Sequence, residues 1–152
     1  MRSTSTCDFQ RMKYLLDTNV LKELTKITPH QNVAKWLASV DDRDLHMSVI
    51  SVREITKGIG KLRKDKPEKA AEIESKMTGI YASFAGRIEA IDEAVAKEWG
   101  RLLSEADKHT DDTGLAATAK VQGMVLVTRN VDDVKGRGAR VLDPFKSPAK
   151  II

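Results

Sequence analysis

A chain of 152 residues is the size of one ordinary domain, so a single packed core is expected rather than two full domains. Hydrophobic residues make up 41% of it, and no apolar run approaches the roughly 20 residues that a membrane-spanning helix needs, which removes that class. Lys plus Arg number 26 against 22 Asp plus Glu, and a net charge of +4 is too small by itself to argue for a nucleic-acid partner. Cys7 is the single cysteine, so neither an internal disulfide nor a CxxC zinc site can form, and a reducing cytoplasm fits best.

Residues 1–11 lack the apolar core of a signal peptide, and Met12 stands directly before the first apolar run as a candidate original start. This segment is expected to be a disordered extension. Residues 13–16 form a short strand ended by Asp17-Thr18-Asn19, after which Val20, Leu21, Leu24 and Ile27 recur at helical spacing. Pro29 opens a second helix with Val33, Trp36, Leu37 and Val40 on one face. The polar run at 41–44 then breaks the chain before a second strand at 45–48.

A helix is expected from Ser51 to about Lys64. Pro67 starts another, whose buried stripe is Ile73, Met77, Ile80, Tyr81 and Phe84. Residues 88–91 read as a third strand and 92–108 as a helix with Val95, Trp99, Leu102, Leu103 and Ala106 inward. Residues 112–122 read as a small-residue helix closed by Gly123. Strands at 124–127 and 140–142 complete the pattern. Basic residues gather at Lys57, Lys61, Arg63, Lys64, Lys66 and Lys69, and again at Arg129, Lys135, Arg137 and Arg140; each group is either a binding track or a solvated face.

Short apolar strands alternating with helices specify an α/β class with a parallel sheet covered on both faces. Ligands of such sheets bind beyond the carboxyl ends of the strands. Acidic residues follow those ends here: Asp17 after the first strand, Glu54 after the second, Asp112 in the helix leading to the fourth, and Asp132 and Asp133 beyond it. Carboxylates brought within about 4 Å repel by about 4 kcal/mol per pair at an effective dielectric of 20, so something must neutralise them. Hard oxygen donors select Mg²⁺ or Mn²⁺ and point to phosphodiester chemistry.

Each of these residues also has a structural role open to it. Asp17 and Asp112 suit helix N-caps, Ser51-Val52-Arg53-Glu54 fits a capping box, and Asp132 and Asp133 suit turns. His30, His46 and His109 lie outside the strand-end motifs and read as surface or core residues. Trp36, Trp99, Tyr81 and Phe84 fall on apolar stripes and read as core or dimer contacts.

Leu15-Leu16-Asp17-Thr18-Asn19-Val20-Leu21, Ser48-Val49-Ile50-Ser51-Val52-Arg53-Glu54, Asp112-Thr113-Gly114-Leu115-Ala116-Ala117-Thr118-Ala119 and Val127-Thr128-Arg129-Asn130-Val131-Asp132-Asp133 together resemble the PIN-domain family. Their order and spacing are similar to the VapC and FitB type toxins of bacterial toxin–antitoxin pairs. The resemblance implies a three-layer α/β/α fold with a short twisted parallel sheet, spanning 12–146 and leaving 147–152 as a tail. It also implies a Mg²⁺- or Mn²⁺-dependent endoribonuclease that acts as a homodimer and is silenced by a cognate antitoxin.

Carried over, Asp17 and Asp112 match the metal ligands, Glu54 the third acidic position, and Asp133 the fourth, with Asp132 and Asn130 as alternatives for that place. On this reading Asp17 and Asp112 hold a cation that activates a water for attack on the RNA phosphate, and Glu54 and Asp133 orient that water or help bind a second metal. Thr18, Asn19, Thr128 and Asn130 flank the carboxylates as hydrogen-bond partners or turn formers. Arg129, Lys57 and Lys61 would hold the RNA backbone without reading sequence. The chain departs from the pattern at Val134, where Phe is usual, at Arg53, where Ala is frequent, and at Gly114, which weakens its helix by up to about 1 kcal/mol and so signals close packing or a loosened site. A non-catalytic RNA- or partner-binding module of the same family is the alternative. A haloacid-dehalogenase-like phosphatase is disfavoured because Asn19 stands where its DxD motif needs Asp.

Overall fold

The computed structural model describes residues 11–152. Five strands form one parallel sheet in the order β3-β2-β1-β4-β5: β1 (Tyr14–Leu16), β2 (Leu45–Ser48), β3 (Ile88–Glu89), β4 (Val125–Val127) and β5 (Arg140–Leu142). Among the described residues seven α-helices flank it: α1 (Thr18–Glu23), α2 (Gln31–Ala38), α3 (Val49–Asp65), α4 (Pro67–Ser83), α5 (Glu93–Glu105), α6 (Thr110–Gln122) and α7 (Val131–Val134). The expected three-layer α/β/α class is the observed one.

The sheet divides two apolar layers by simple alternation. Leu16, Val125, Val127 and Leu142 enter the core shared with α1–α4, whereas Leu15, Leu126 and Val141 enter the core under α6 and α7. Both faces are covered, which is why the strands read as continuous apolar runs instead of alternating ones. The chain steps outward from β1 to β2 to β3, then returns to place β4 on the other side of β1. Direction therefore reverses between β1 and β4, and the crevice beyond their carboxyl ends is where such sheets place ligands.

Several boundaries differ from expectation for identifiable reasons. Helix α2 is capped by His30, whose side chain accepts from the Asn32 amide, so it begins beyond Pro29. Ser48, the last residue of β2, caps α3 by accepting from the Ile50 amide. Strand thus runs directly into helix, Ser51 is already inside it, and the capping box expected at 51–54 does not form. Helix α6 begins at Thr110 after His109, so Asp112 lies in its first turn and does not cap it. Gly123, at φ 69°, closes this helix as expected. Asp132 and Asp133, which suit turns, lie in a single helical turn over Val131–Val134, and β3 stops at Glu89.

Gly114 is explained by packing: a Cβ there would lie 2.7 Å from Ile50 Cδ1 and from the Trp99 ring, so its absence lets α5 and α6 close on each other. Arg137 is not part of a solvated basic face. It is buried and donates to the carbonyls of Leu102, Ala106 and Lys108, closing the carboxyl end of α5. Residues 1–10 of the expected extension lie outside the described residues. Arg11 binds Asp44 at 2.5 Å and Asp41 at 3.0 Å. In the segment expected as a tail, Ile152 exchanges backbone hydrogen bonds with Val141 on β5.

Candidate active site

Asp17 is the first residue beyond β1 and is 4% exposed. It caps α1 by accepting from the Thr18 amide at 2.6 Å, and its other oxygen accepts from the Thr128 hydroxyl at 2.6 Å and the Asn19 amide at 3.1 Å. The two structural readings of Asp17 are therefore not exclusive: it caps a helix and also stands in the crevice. A carboxylate has about four lone-pair positions, and three donors leave one for a further partner. Burial pushes its pKa up, against the pull of those hydrogen bonds.

Glu54 points back from α3 to the same crevice. Its Oε1 accepts from the Thr18 hydroxyl at 2.7 Å, and that hydroxyl also lies 2.9 Å from Ser51 Oγ. Burial, then the charges of Asp111 and Asp17, raise the Glu54 pKa. Asp112 carries the largest perturbation of the group: burial, then the neighbouring charges of Asp17, Asp133 and Glu54, push its pKa up to about 6. The three carboxylates that raise the Asp112 pKa are the others that follow the strand ends, and His109 acts against them, so these groups share one electrostatic site.

Asp133 is the α7 residue whose carboxylate comes near Asp112. The Asp132 side chain is 89% exposed and pairs with Lys135, while Asn130 meets the site only through its backbone amide, which donates to Thr128 Oγ1 at 3.0 Å. Thr18 donates to Glu54, Asn19 and Thr128 donate to Asp17, and the Asn130 side chain caps nothing.

One residue that sequence reasoning set aside belongs here. His109 adopts a left-handed conformation at φ 52°, which brings its Nε2 3.6 Å from Asp133 Oδ1. Among the described residues, His109, Asp112 and Asp133 can present ligand atoms all within 4.8 Å of one another, a spacing suited to one cation, whereas Asp17 and Glu54 stand outside that compact set. The signal in the sequence was the spacing of three residues before Asp112; the backbone twist that exploits it was not legible. His46, by contrast, is buried against Glu89 at 2.9 Å and lies off the site.

Lys57 and Lys61 lie three and seven residues beyond Glu54 on α3, so they continue its helical face as exposed ammonium groups. Arg129 is exposed, with its guanidinium 4.1 Å over the Phe145 ring. Arg53 instead ties α3 to α6 by pairing with Asp111, while Arg63 pairs with Glu74.

The family model for the PIN domain matches residues 14–135, which takes in every residue of this site. The chain belongs to the PIN-domain family. This PIN domain is 32% identical to Toxin FitB of Neisseria gonorrhoeae over 136 residues, covering 86% of this chain and 97% of that protein. It is 25% identical to VapC ribonuclease Y4jK of Sinorhizobium fredii over 138 residues, covering 87% and 97% of the two chains. A solved structure of FitAB bound to a DNA fragment superposes with a TM-score of 0.75 at 33% identity, covering 88% of this chain and 96% of that one.

Proposed function

We propose that this PIN domain is a divalent-cation-dependent endoribonuclease, the toxin partner of a toxin–antitoxin pair. The observation that carries the reading is the meeting of Asp17, Glu54, Asp112 and Asp133 at the reversal point of the sheet, where burial and then the charges of the other three carboxylates push the Asp112 pKa up to about 6. Such a group of hard oxygen donors, with one imidazole beside it, fits Mg²⁺ or Mn²⁺. The cation, when bound, supplies Lewis acidity toward water and a phosphate oxygen.

The residues divide the remaining work. Thr18, Asn19 and Thr128 fix Asp17 and Glu54 in place before substrate arrives, so that no reorganisation is needed when charge develops. Asp112 would hold the cation together with Asp17, as the family pattern has it, with Asp133 near enough to Asp112 to join them, and Glu54 would orient the attacking water from the α3 side. Lys57, Lys61 and Arg129 attract the phosphate backbone and carry no base readout, which leaves RNA choice to surface shape.

The relatives named as toxin and as VapC ribonuclease support this assignment, and the FitAB structure supports an antitoxin partner. A cleft of about 420 Å³ between α1, α3 and α4 opens beside Glu54; Ile55, Ile59, Leu62, Ile73 and Met77 line it, with Lys22 and Lys26 at its rim. It suits an amphipathic antitoxin segment. The active species is expected to be a homodimer, which light scattering checks.

The deciding experiment incubates purified protein with structured RNA in Mg²⁺, Mn²⁺, Ca²⁺ or excess EDTA. Cleavage in Mg²⁺ and Mn²⁺, poor cleavage in Ca²⁺ and none in EDTA are expected. Full-rate cleavage in EDTA overturns the metal mechanism. Absence of cleavage in every metal, with RNA still bound, leaves a binding module in its place.

A further inference from the structure

The compact ligand set in this site is not purely acidic. His109 is an exposed residue in left-handed backbone, and its side chain makes no capping bond to α6 although it occupies the cap position. Its ring turns toward Asp133, and the imidazole and both carboxylates reach positions within 4.8 Å of each other. Asp17 and Glu54 lie close enough to Asp112 to raise its pKa, and their negative charge is one that a cation would offset. An open cleft of about 300 Å³, bordered by His109, Asp133, Lys108 and Lys135, exposes two of the three members of the group to solvent.

We propose that His109 supplies an imidazole nitrogen to the cation held by Asp112 and Asp133, which gives the centre a preference for Mn²⁺ over Mg²⁺. The inference rests on the metal-dependent reading above and deepens it. Mg²⁺ takes oxygen ligands almost exclusively and keeps its waters, so an imidazole at the site adds little to its binding. First-row transition metals accept imidazole, and at a site with nitrogen and oxygen donors their affinities rise along the series that begins at Mn²⁺. An all-carboxylate centre would show a smaller bias. The competing account is an ordinary exposed ion pair between His109 and Asp133, with no metal involved.

The test is calorimetric titration of the intact protein with Mn²⁺ and with Mg²⁺, beside the variants His109→Gly and His109→Asn, each checked for folding by circular dichroism. Glycine suits the left-handed backbone, so that variant removes the ring without removing the conformation. Mn²⁺ affinity is expected to fall at least about tenfold in His109→Gly, with Mg²⁺ affinity unchanged. Spin-echo spectroscopy of bound Mn²⁺ should show nitrogen modulation in the wild type, and the variant should lack it. Tight Mn²⁺ binding without nitrogen modulation, or equal Mn²⁺ affinity in wild type and variant, overturns the role of His109 and leaves the metal-dependent function standing. Failure of the wild type to bind either cation overturns both.

Discussion

The Thr128 hydroxyl donates to Asp17 Oδ2 at 2.6 Å across 111 residues of sequence, joining the ends of the two central strands. Thr128 is fully buried and Asp17 nearly so, which makes this bond the chief support of a charge held away from water. Thr128→Val keeps the shape and removes the donor. It is expected to destabilise the fold by about 1 to 3 kcal/mol, the cost of an under-satisfied buried acceptor, and to lower RNA cleavage. Thr128→Ser should retain most of both. Urea denaturation and a cleavage assay on the three proteins check this, and equal stability of the Val variant would contradict it.

Asp112→Asn separates a repelled carboxylate from a helix-turn residue. Because the folded pKa of about 6 lies above the ordinary 3.8, the metal-free native state holds this proton more tightly than the unfolded chain does. The stability cost of ionising Asp112 is therefore absent below the unfolded value, grows through the interval between the two and is complete above the folded one. The Asn variant should be the more stable apo protein by about 1 kcal/mol near neutral pH after solvent screening, with no advantage at about pH 4. Melting curves across that range in EDTA measure it. Added Mn²⁺ should stabilise the wild type far more than the variant, and cleavage should fall.

Gly114→Ala tests packing against propensity. Helix propensity alone predicts a gain of up to about 1 kcal/mol. The new methyl would meet Ile50 Cδ1 and the Trp99 ring at 2.7 Å, and overpacking a close contact costs roughly 1 to 3 kcal/mol. A net loss of about 1 to 2 kcal/mol is expected by chemical denaturation, with α5 moved off α6. A stabilised variant would show that Trp99 yields freely.

Arg137→Lys should be costly although it keeps the charge. One guanidinium serves the Leu102, Ala106 and Lys108 carbonyls together, a geometry that a single ammonium does not reproduce. A loss of about 2 to 3 kcal/mol is expected, compared with less than about 0.5 kcal/mol for Arg140→Ala, whose side chain is exposed. Thermal melts of the two variants side by side make the comparison.

The legible part of this molecule is the part written in local pattern. Apolar runs ending in Asp17, Ser48 and Thr128 locate the strands, and the acidic residues beyond them locate the crevice, because a parallel sheet brings its carboxyl ends to one edge. What stayed hidden depends on tertiary choice between equivalent local options. Ser48 and Ser51 are both good caps, and only the direct passage of β2 into α3 selects the first. Arg137 looks like any surface arginine until the end of α5 supplies its carbonyls. His109 required a backbone conformation that nothing in its neighbours' identities demands.

The strand order has a consequence for biosynthesis. β1 lies at the centre of the sheet, yet its partner β4 is encoded 111 residues later, so Asp17 emerges from the ribosome long before Asp112, Thr128 and Asp133 exist. Synthesis is vectorial, and pairings of such long sequence separation form late. The growing chain therefore carries scattered carboxylates without an assembled site until almost the whole domain has been translated, and a nascent copy lacks the centre that the proposed activity needs.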